Sequence, residues 1–451
     1  MHKSRTMDMT EGVIWKQMVL FALPLLAGNL FQQFYNTVDS IVVGNYVSAD
    51  ALAAVTSTGP AINILIGFFM GMSTGASVVI SQMFGARHEA SLRKAIHTAV
   101  TLTLLLGIAF SIIGYTATPF MLKAMKTPES VVRDATTYLH IYFAGVLGLM
   151  LYNIGSGILR AVGDSRRPLY FLIFSSLLNI VLDLLFVLVF HMGVAGVAYA
   201  TILSQFISAA MIFVILFRTK EIYGLSMKEM QLDMKMVSNI LNMGLPAGLQ
   251  VAIVSFSNVF VQAYINAFGA ASAAGWGVYG RIDGFVMLPL QSLGLAITTF
   301  VGQNAGAGKV ERIKKGMRTA LWLSAVITVV ITVPLLIFAP AIVKLFSKEA
   351  EVIYFAALFL RLNEPFDIVA CSNQIHAGAL RGIGNAKVPM FIMVFSFVVF
   401  RQIYLFVVTH ITGLIYPVSL CYPAGWLMCS LIMLIYFRRS NWAEHIHSSQ
   451  D

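Results

Sequence analysis

Apolar stretches, each about the length of a bilayer crossing, follow one another along this chain with short polar breaks between them. Runs of about 20 apolar residues cross the hydrocarbon core as helices, because a helix bonds its own backbone where water is absent. The runs fall near residues 15–43, 52–80, 95–120, 133–158, 168–190 and 194–217. A second set falls near 238–266, 273–300, 317–340, 352–380, 388–411 and 413–437. The pattern predicts an all-α polytopic membrane protein of about 12 transmembrane helices.

The second set repeats the first. Gln82, Gly85 and Ala86 after the second span return as Gln303, Gly306 and Ala307 after the eighth. Gly157, Arg160, Gly163 and Pro168 return as Gly378, Arg381, Gly384 and Pro389. Six crossings are an even number, so both repeats enter the membrane from the same side. Two six-helix lobes related by a pseudo-two-fold along the membrane normal follow from this. The expected division is an N-lobe over 1–217, a cytoplasmic linker over 218–237, and a C-lobe with its tail over 238–451. Repeats of this kind normally serve a central cavity opened to each side in turn, which points to transport.

Charge refines the picture. Charged residues are 11% of the chain, against roughly 25% in soluble domains. The net charge is +10, but it is spread along one membrane face. Basic residues crowd 2–5, 87–94, 160–167, 218–235, 309–318, 381–387 and 438–439, all even-side connections. The positive-inside rule then places both termini in the cytoplasm and leaves no case for a nucleic-acid partner. The first apolar run is long and lacks a small-residue cleavage pattern, so it reads as an insertion signal that is kept. Cys371, Cys421 and Cys429 lack metal spacing and read as packing residues. The linker mixes Met227, Met230, Met234 and Met236 with charges, which suits either a short amphipathic helix at the interface or an ordinary polar connection.

Ionisable groups inside a bilayer are costly and usually mark a pathway. In the first span Asn29, Gln32, Asn36, Asp39 and Ser40 make one polar stripe, and in the fifth Asn179 and Asp183 sit one turn apart. By topology Asp39, Asn179, Asp183, Tyr138 and Thr201 all fall in the outer half of one lobe. Carboxylate, amide and hydroxyl oxygens at one depth suit a proton or Na⁺, with Asp39, Asn179, Asp183 and Thr201 as ligands. A hydrogen-bonded plug that ties helices together is the alternative. The C-lobe carries Asp283 beside Arg281, then Arg361, Glu364 and Asp367, and Arg401 in the eleventh span. Arg361 and Glu364 are roughly cofacial by spacing, as are Glu364 and Asp367. Contact with substrate and mutual ion pairing both fit this set. Gln33, Gln250 and Asn258 join it as candidate cavity contacts. Pro24 interrupts the first span and Pro246 the seventh, each within a Leu-Pro pair; a mid-span proline frees a carbonyl, so Pro24 is a candidate hinge.

With these residues in view, the chain resembles the multidrug and toxic compound extrusion (MATE) family. The resemblance rests on the duplicated layout, on Leu23-Pro24, on Gln82-x-x-Gly85-Ala86 and on Gly157-x-x-Arg160-x-x-Gly163, and it covers essentially the whole chain. Asp39, Asn179, Asp183, Tyr138 and Thr201 are similar to the N-lobe cation site of the prokaryotic DinF-type branch. The resemblance implies two lobes in a V, in a prokaryotic cytoplasmic membrane. It also implies an antiporter that expels organic cations in exchange for H⁺ or Na⁺, without a covalent cofactor. The first helix would bend as substrate leaves. The C-lobe departs from the NorM-type branch, whose acids lie in the seventh, eighth and tenth helices. Here the seventh span offers Gln250, Asn258 and Gln262 but no acid. The rival reading is a flippase for lipid-linked oligosaccharides or other amphiphiles, which would favour a basic cavity. No GxSxG, HExxH or GxxxxGK[ST] pattern supports an enzyme, and a monomer is expected.

Overall fold

Each apolar run forms helix, and no strand occurs among the described residues of the computed structural model, which are 6–47, 49–125 and 127–443. The first six long helices are α1 (Ile14–Tyr46), α2 (Ala49–Gly85), α3 (Glu89–Ala124), α4 (Glu129–Ala161), α5 (Arg166–Leu184) and α6 (Gly193–Arg218). A π-helical turn, Leu185–Val189, extends α5. The second set begins with α7 (Met234–Asn266), α8 (Ala270–Gly306), α9 (Val310–Ile337) and the short α10 (Ala339–Val343). It continues with α11 (Ala350–Asn363), α12 (Asp367–Ile383), α13 (Lys387–Val394), α14 (Arg401–Thr412), α15 (Ile415–Ser419) and α16 (Cys421–Arg439). A π-helical stretch, Phe395–Phe400, joins α13 to α14.

Eleven helices among the described residues are individually long and apolar enough to cross a bilayer. The tenth apolar run, expected as one helix over 352–380, is divided instead. α11 stops at Asn363, a single 3-10 turn covers Glu364–Phe366, and α12 resumes at Asp367. Pro365 explains the break, because it has no N–H to donate and its ring crowds the carbonyl one turn earlier. The linker also differs from an amphipathic helix: between α6 and α7 only Met227–Glu229 is helical, as one 3-10 turn.

The chain folds as two compact units, Leu23–Leu245 with Met1–Met7, and Asp8–Ala22 with Pro246–Asp451. It changes units inside α1, next to Pro24, and inside α7, at Pro246. In the first unit α4 packs against α2, α3 and α6, and α5 lies on α6. Met236 and Ile240, from the start of α7, join that unit's core with Met72, Ile96 and Ile158. The α2–α7 approach is close because both sides are glycine: a Cβ on Gly75 would fall on the backbone of Gly244. The linker is a strap over α3. Arg93 donates to both carboxylate oxygens of Glu229 at 2.9 and 2.8 Å, His97 Nε2 accepts from the Ser226 N–H at 3.0 Å, and Thr98 Oγ1 accepts from the Asp233 N–H at 3.2 Å.

In the second unit α8 packs against α9, α11 and α12, and α12 also meets α16. The strap is Asp8–Val13. Gln303 accepts the Met9 N–H at 2.8 Å, Asn304 donates to the Met9 carbonyl at 3.1 Å, and Arg312 donates to the carbonyls of Met9 and Glu11. Met18 and Phe21, on the first turns of α1, are fully buried. Gly163 (φ +87°) and Gly384 (φ +103°) end α4 and α12 in the left-handed region, which explains why glycine recurs at this place in both repeats.

Candidate cation sites

Asp283 on α8, Glu364 in the 3-10 turn and Asp367 at the start of α12 converge in the second unit. One carboxylate oxygen from each lies within 4.8 Å of the others, and Glu364 and Asp367 are 0% exposed. Packing of α8 onto α11 and α12 brings Asp283 in, while the break at Pro365 turns Glu364 and Asp367 inward from the same stretch of chain. No Lys, Arg or His forms an ion pair with any of the three among the described residues. Three negative charges this close in a low-dielectric interior repel strongly, so the arrangement is stable only with protons or a cation among them. An all-oxygen donor set suits H⁺ or a hard cation such as Na⁺.

Aromatic side chains wall this cluster. Tyr279 lies one turn before Asp283 on α8, is 1% exposed, and is within electrostatic reach of all three carboxylates. Its hydroxyl has no hydrogen-bond partner among the described residues. Trp276 meets Tyr279 at 4.9 Å between ring centroids and stacks on Tyr422 at 5.3 Å. The sequence did not single out these rings; the signal was available in the spacing of Trp276, Tyr279 and Asp283 along one helical face.

The arginines do not pair with these acids, contrary to one expectation from the sequence. Arg281 and Arg361 are exposed and make no ion pair among the described residues. Arg361 and Glu364 do not share a face, because the helix ends between them and the Pro365 turn buries Glu364. Arg401 is 2% exposed and rests on neutral groups. Its guanidinium donates to Ser257 Oγ at 2.9 Å and Asn258 Oδ1 at 2.8 Å, and lies 5.0 Å from the Tyr422 ring centroid. Asn258 is thereby committed to Arg401. Gln250 donates to the Met393 sulfur at 3.0 Å, and its carbonyl oxygen has no donor among the described residues.

In the first unit Asn179 and Asp183 are buried one turn apart on α5, 3% and 0% exposed. The Asn179 amide finds no hydrogen-bond partner among the described residues. Tyr138 on α4 is buried and stacks with Tyr142 at 6.2 Å. Thr201 on α6 bonds its own helix, donating to the Val197 carbonyl at 3.0 Å. Gln33 is half-buried on α1. The side chains of Asn36, Asp39 and Ser40 lie outside the described residues. The lone histidines take packing roles: His140 stacks on Tyr115 at 4.1 Å, and His376 bonds the Ser372 carbonyl at 2.7 Å.

Comparison with known proteins places this arrangement. The MatE family model matches twice, over residues 24–185 and 246–407, and each match begins at the proline where the chain changes units. The chain is 31% identical over 443 residues to the probable multidrug resistance protein YoeA of Bacillus subtilis (strain 168), covering 96% of this chain and 95% of that one. It is also 31% identical over 436 residues to the probable multidrug resistance protein YpnP of the same organism, covering 96% and 97%. The crystal structure of MATE in complex with MaL6 superposes with a TM-score of 0.92 at 24% identity, over 99% of this chain and 100% of that one, which establishes the shared fold. The duplicated helical fold and the doubled match together make this chain a multi-pass membrane protein of the MATE transporter family.

Proposed function

We propose that this protein is a secondary-active multidrug exporter, which moves small amphipathic organic cations out of the cell in exchange for H⁺ or Na⁺ by alternating access. The observation that carries the reading is the convergence of Asp283, Glu364 and Asp367 within 4.8 Å without a basic partner. A coupling ion entering this cluster neutralises it. A cationic cargo draws on the same negative charge, so each weakens binding of the other, which is the thermodynamic content of exchange. The multidrug resistance proteins of Bacillus subtilis support the choice of cargo.

Under this proposal Asp39, Asn36, Asn179, Asp183, Tyr138 and Thr201 form a second coupling site, with Gln33, Gln250 and Arg361 as cargo contacts and Pro24 as the point where α1 bends. The protein acts as a monomer in a prokaryotic cytoplasmic membrane, with both termini inside. One observation favours a second reading. Arg401 is a buried cation with only neutral partners, and would receive the anionic head of an amphiphile in a flippase.

Vesicles loaded with a fluorescent organic cation test the proposal, with proton and sodium gradients imposed separately. Wild type is expected to follow one gradient. The Asp283→Asn/Glu364→Gln/Asp367→Asn variant is expected to slow about tenfold or more, the factor that about 1.4 kcal/mol of lost coupling represents. Asp39→Asn reports on the other site. Gradient-driven export that survives the triple change but not Asp39→Asn would move coupling to the first unit. No export with either gradient would remove the antiporter reading and favour the flippase.

A further inference from the structure

The turn between α8 and α9 carries a cavity of about 490 Å³, lined by Ile14, Lys309, Glu311, Arg312 and Lys315 together with Gly308 and Val310. It belongs wholly to the second unit. Two of its basic residues partly serve the strap: Lys309 donates to the Thr10 carbonyl at 2.9 Å, and Arg312 holds Met9, Glu11 and Gln17. The side chain of Lys315 is exposed and makes no hydrogen bond or ion pair among the described residues. The one acid in the lining, Glu311, is taken by Lys314 at 2.7 Å.

The repeat supplies an internal control for this turn. Arg93 and Lys94 occupy the equivalent positions in the first unit, and both face acids of their strap, Glu229 at 2.8 Å and Asp233 at 3.9 Å. The strap of the second unit offers Lys315 no such partner. Asp8 is engaged by the N–H and hydroxyl of Thr10, and Glu11 lies 4.0 Å from Lys309. Lys309, Arg312 and Lys315 therefore outnumber Glu311 in the lining of the cavity. Ile14 lines the cavity, and its sequence neighbours Val13 and Trp15 are 57% and 56% exposed. A tryptophan and aliphatic side chains next to lysines, where a membrane span begins, match the headgroup layer of a bilayer.

We propose that this cavity binds the phosphate headgroup of an anionic phospholipid, with Lys315 as its uncommitted ligand and Lys309 and Arg312 alongside. Ile14 in the lining, with the exposed Val13 and Trp15 at the start of the span, favours a lipid over free phosphate, because acyl and glycerol portions gain an apolar surface there. Since the same cations hold the strap, an occupied cavity secures the start of α1 on the second unit. The site does not depend on what the protein transports.

The test uses the full-length protein in neutral detergent, with lipid retention read by native mass spectrometry and the thermal midpoint measured in parallel. Phosphatidylglycerol, phosphatidylcholine and sodium phosphate are compared. Phosphatidylglycerol is expected to be retained and to raise the midpoint, and the other two are not. Lys315→Ala is expected to weaken retention about fivefold, the factor for one basic residue near an anionic surface. The exposed Lys348, at the opposite end of the unit, serves as control: Lys348→Ala leaves retention unchanged. Retention that is equal in Lys315→Ala and wild type, or equally lowered by both substitutions, would overturn the site. An equal rise in midpoint with sodium phosphate would overturn the lipid as its occupant.

Discussion

Arg401 illustrates how far a residue can be read from sequence alone. Its presence in an apolar run marked it as unusual, and three acids elsewhere in the lobe suggested ion pairs as one account. What decides the matter is which helices touch, and linear spacing carries no such information. The acids come to each other, while Arg401 finds Ser257, Asn258 and a tyrosine face. The flat guanidinium lies against the Tyr422 ring, a contact that an ammonium on a shorter stem does not reproduce. Arg401→Lys is therefore expected to lower stability by about 1–3 kcal/mol, although it keeps the charge, since the ring contact is lost and Asn258 loses its donor. A thermal midpoint equal to wild type would show that charge alone matters there. Glu364 teaches the same lesson locally: helical spacing paired it with Arg361, but Pro365, two letters away from Asn363, was the stronger signal. In the first unit the sequence located Asn179 and Asp183 on one buried face, because four-residue spacing within an unbroken helix is reliable.

Helices were the most legible elements, since hydrophobic length and period suffice for them, and the connections were the least. The linker has the charge and methionine content of an amphipathic helix but is a strap, because its backbone partners come from α3 and not from itself. Its acid contact has a pH signature. The guanidinium of Arg93 holds the Glu229 carboxyl below its ordinary value of 4.5. A group with a depressed value contributes fully above the unfolded value, and that contribution fades as pH falls through the folded one. Proteolysis of 219–233 is thus expected to accelerate as pH drops below 4.5 in wild type. Glu229→Gln should show the faster rate at every pH; a pH profile unchanged by the substitution would exclude the contact. Where α2 meets α7, the separation is set by glycine. Gly75→Ala forces the backbones at Gly244 and Ile240 apart and is expected to cost about 1–3 kcal/mol, read as a lower midpoint. A midpoint equal to wild type would mean that the helices part without loss.

On the scale of the whole molecule, duplication was plain in the sequence, and the two compact units exchange short segments of chain. α1 and α7 each begin in one unit and end in the other, and both change over next to a proline. A helix that joins two bodies is where their relative motion must be absorbed, and a proline lowers the cost of bending there. Pro24→Ala and Pro246→Ala are each expected to slow export while leaving equilibrium binding of the cation intact, with the double variant slower than either. Transport at the wild-type rate in all three would remove both hinges. The crossing-over also bears on how the protein is made. The strap over residues 8–13 is made well before the α8–α9 turn that holds it, since its partners are Gln303, Asn304, Lys309 and Arg312. The strap can close only once residues 303–312 have been synthesised, so cleavage of the linker is expected to leave two fragments that stay associated through residues 8–22.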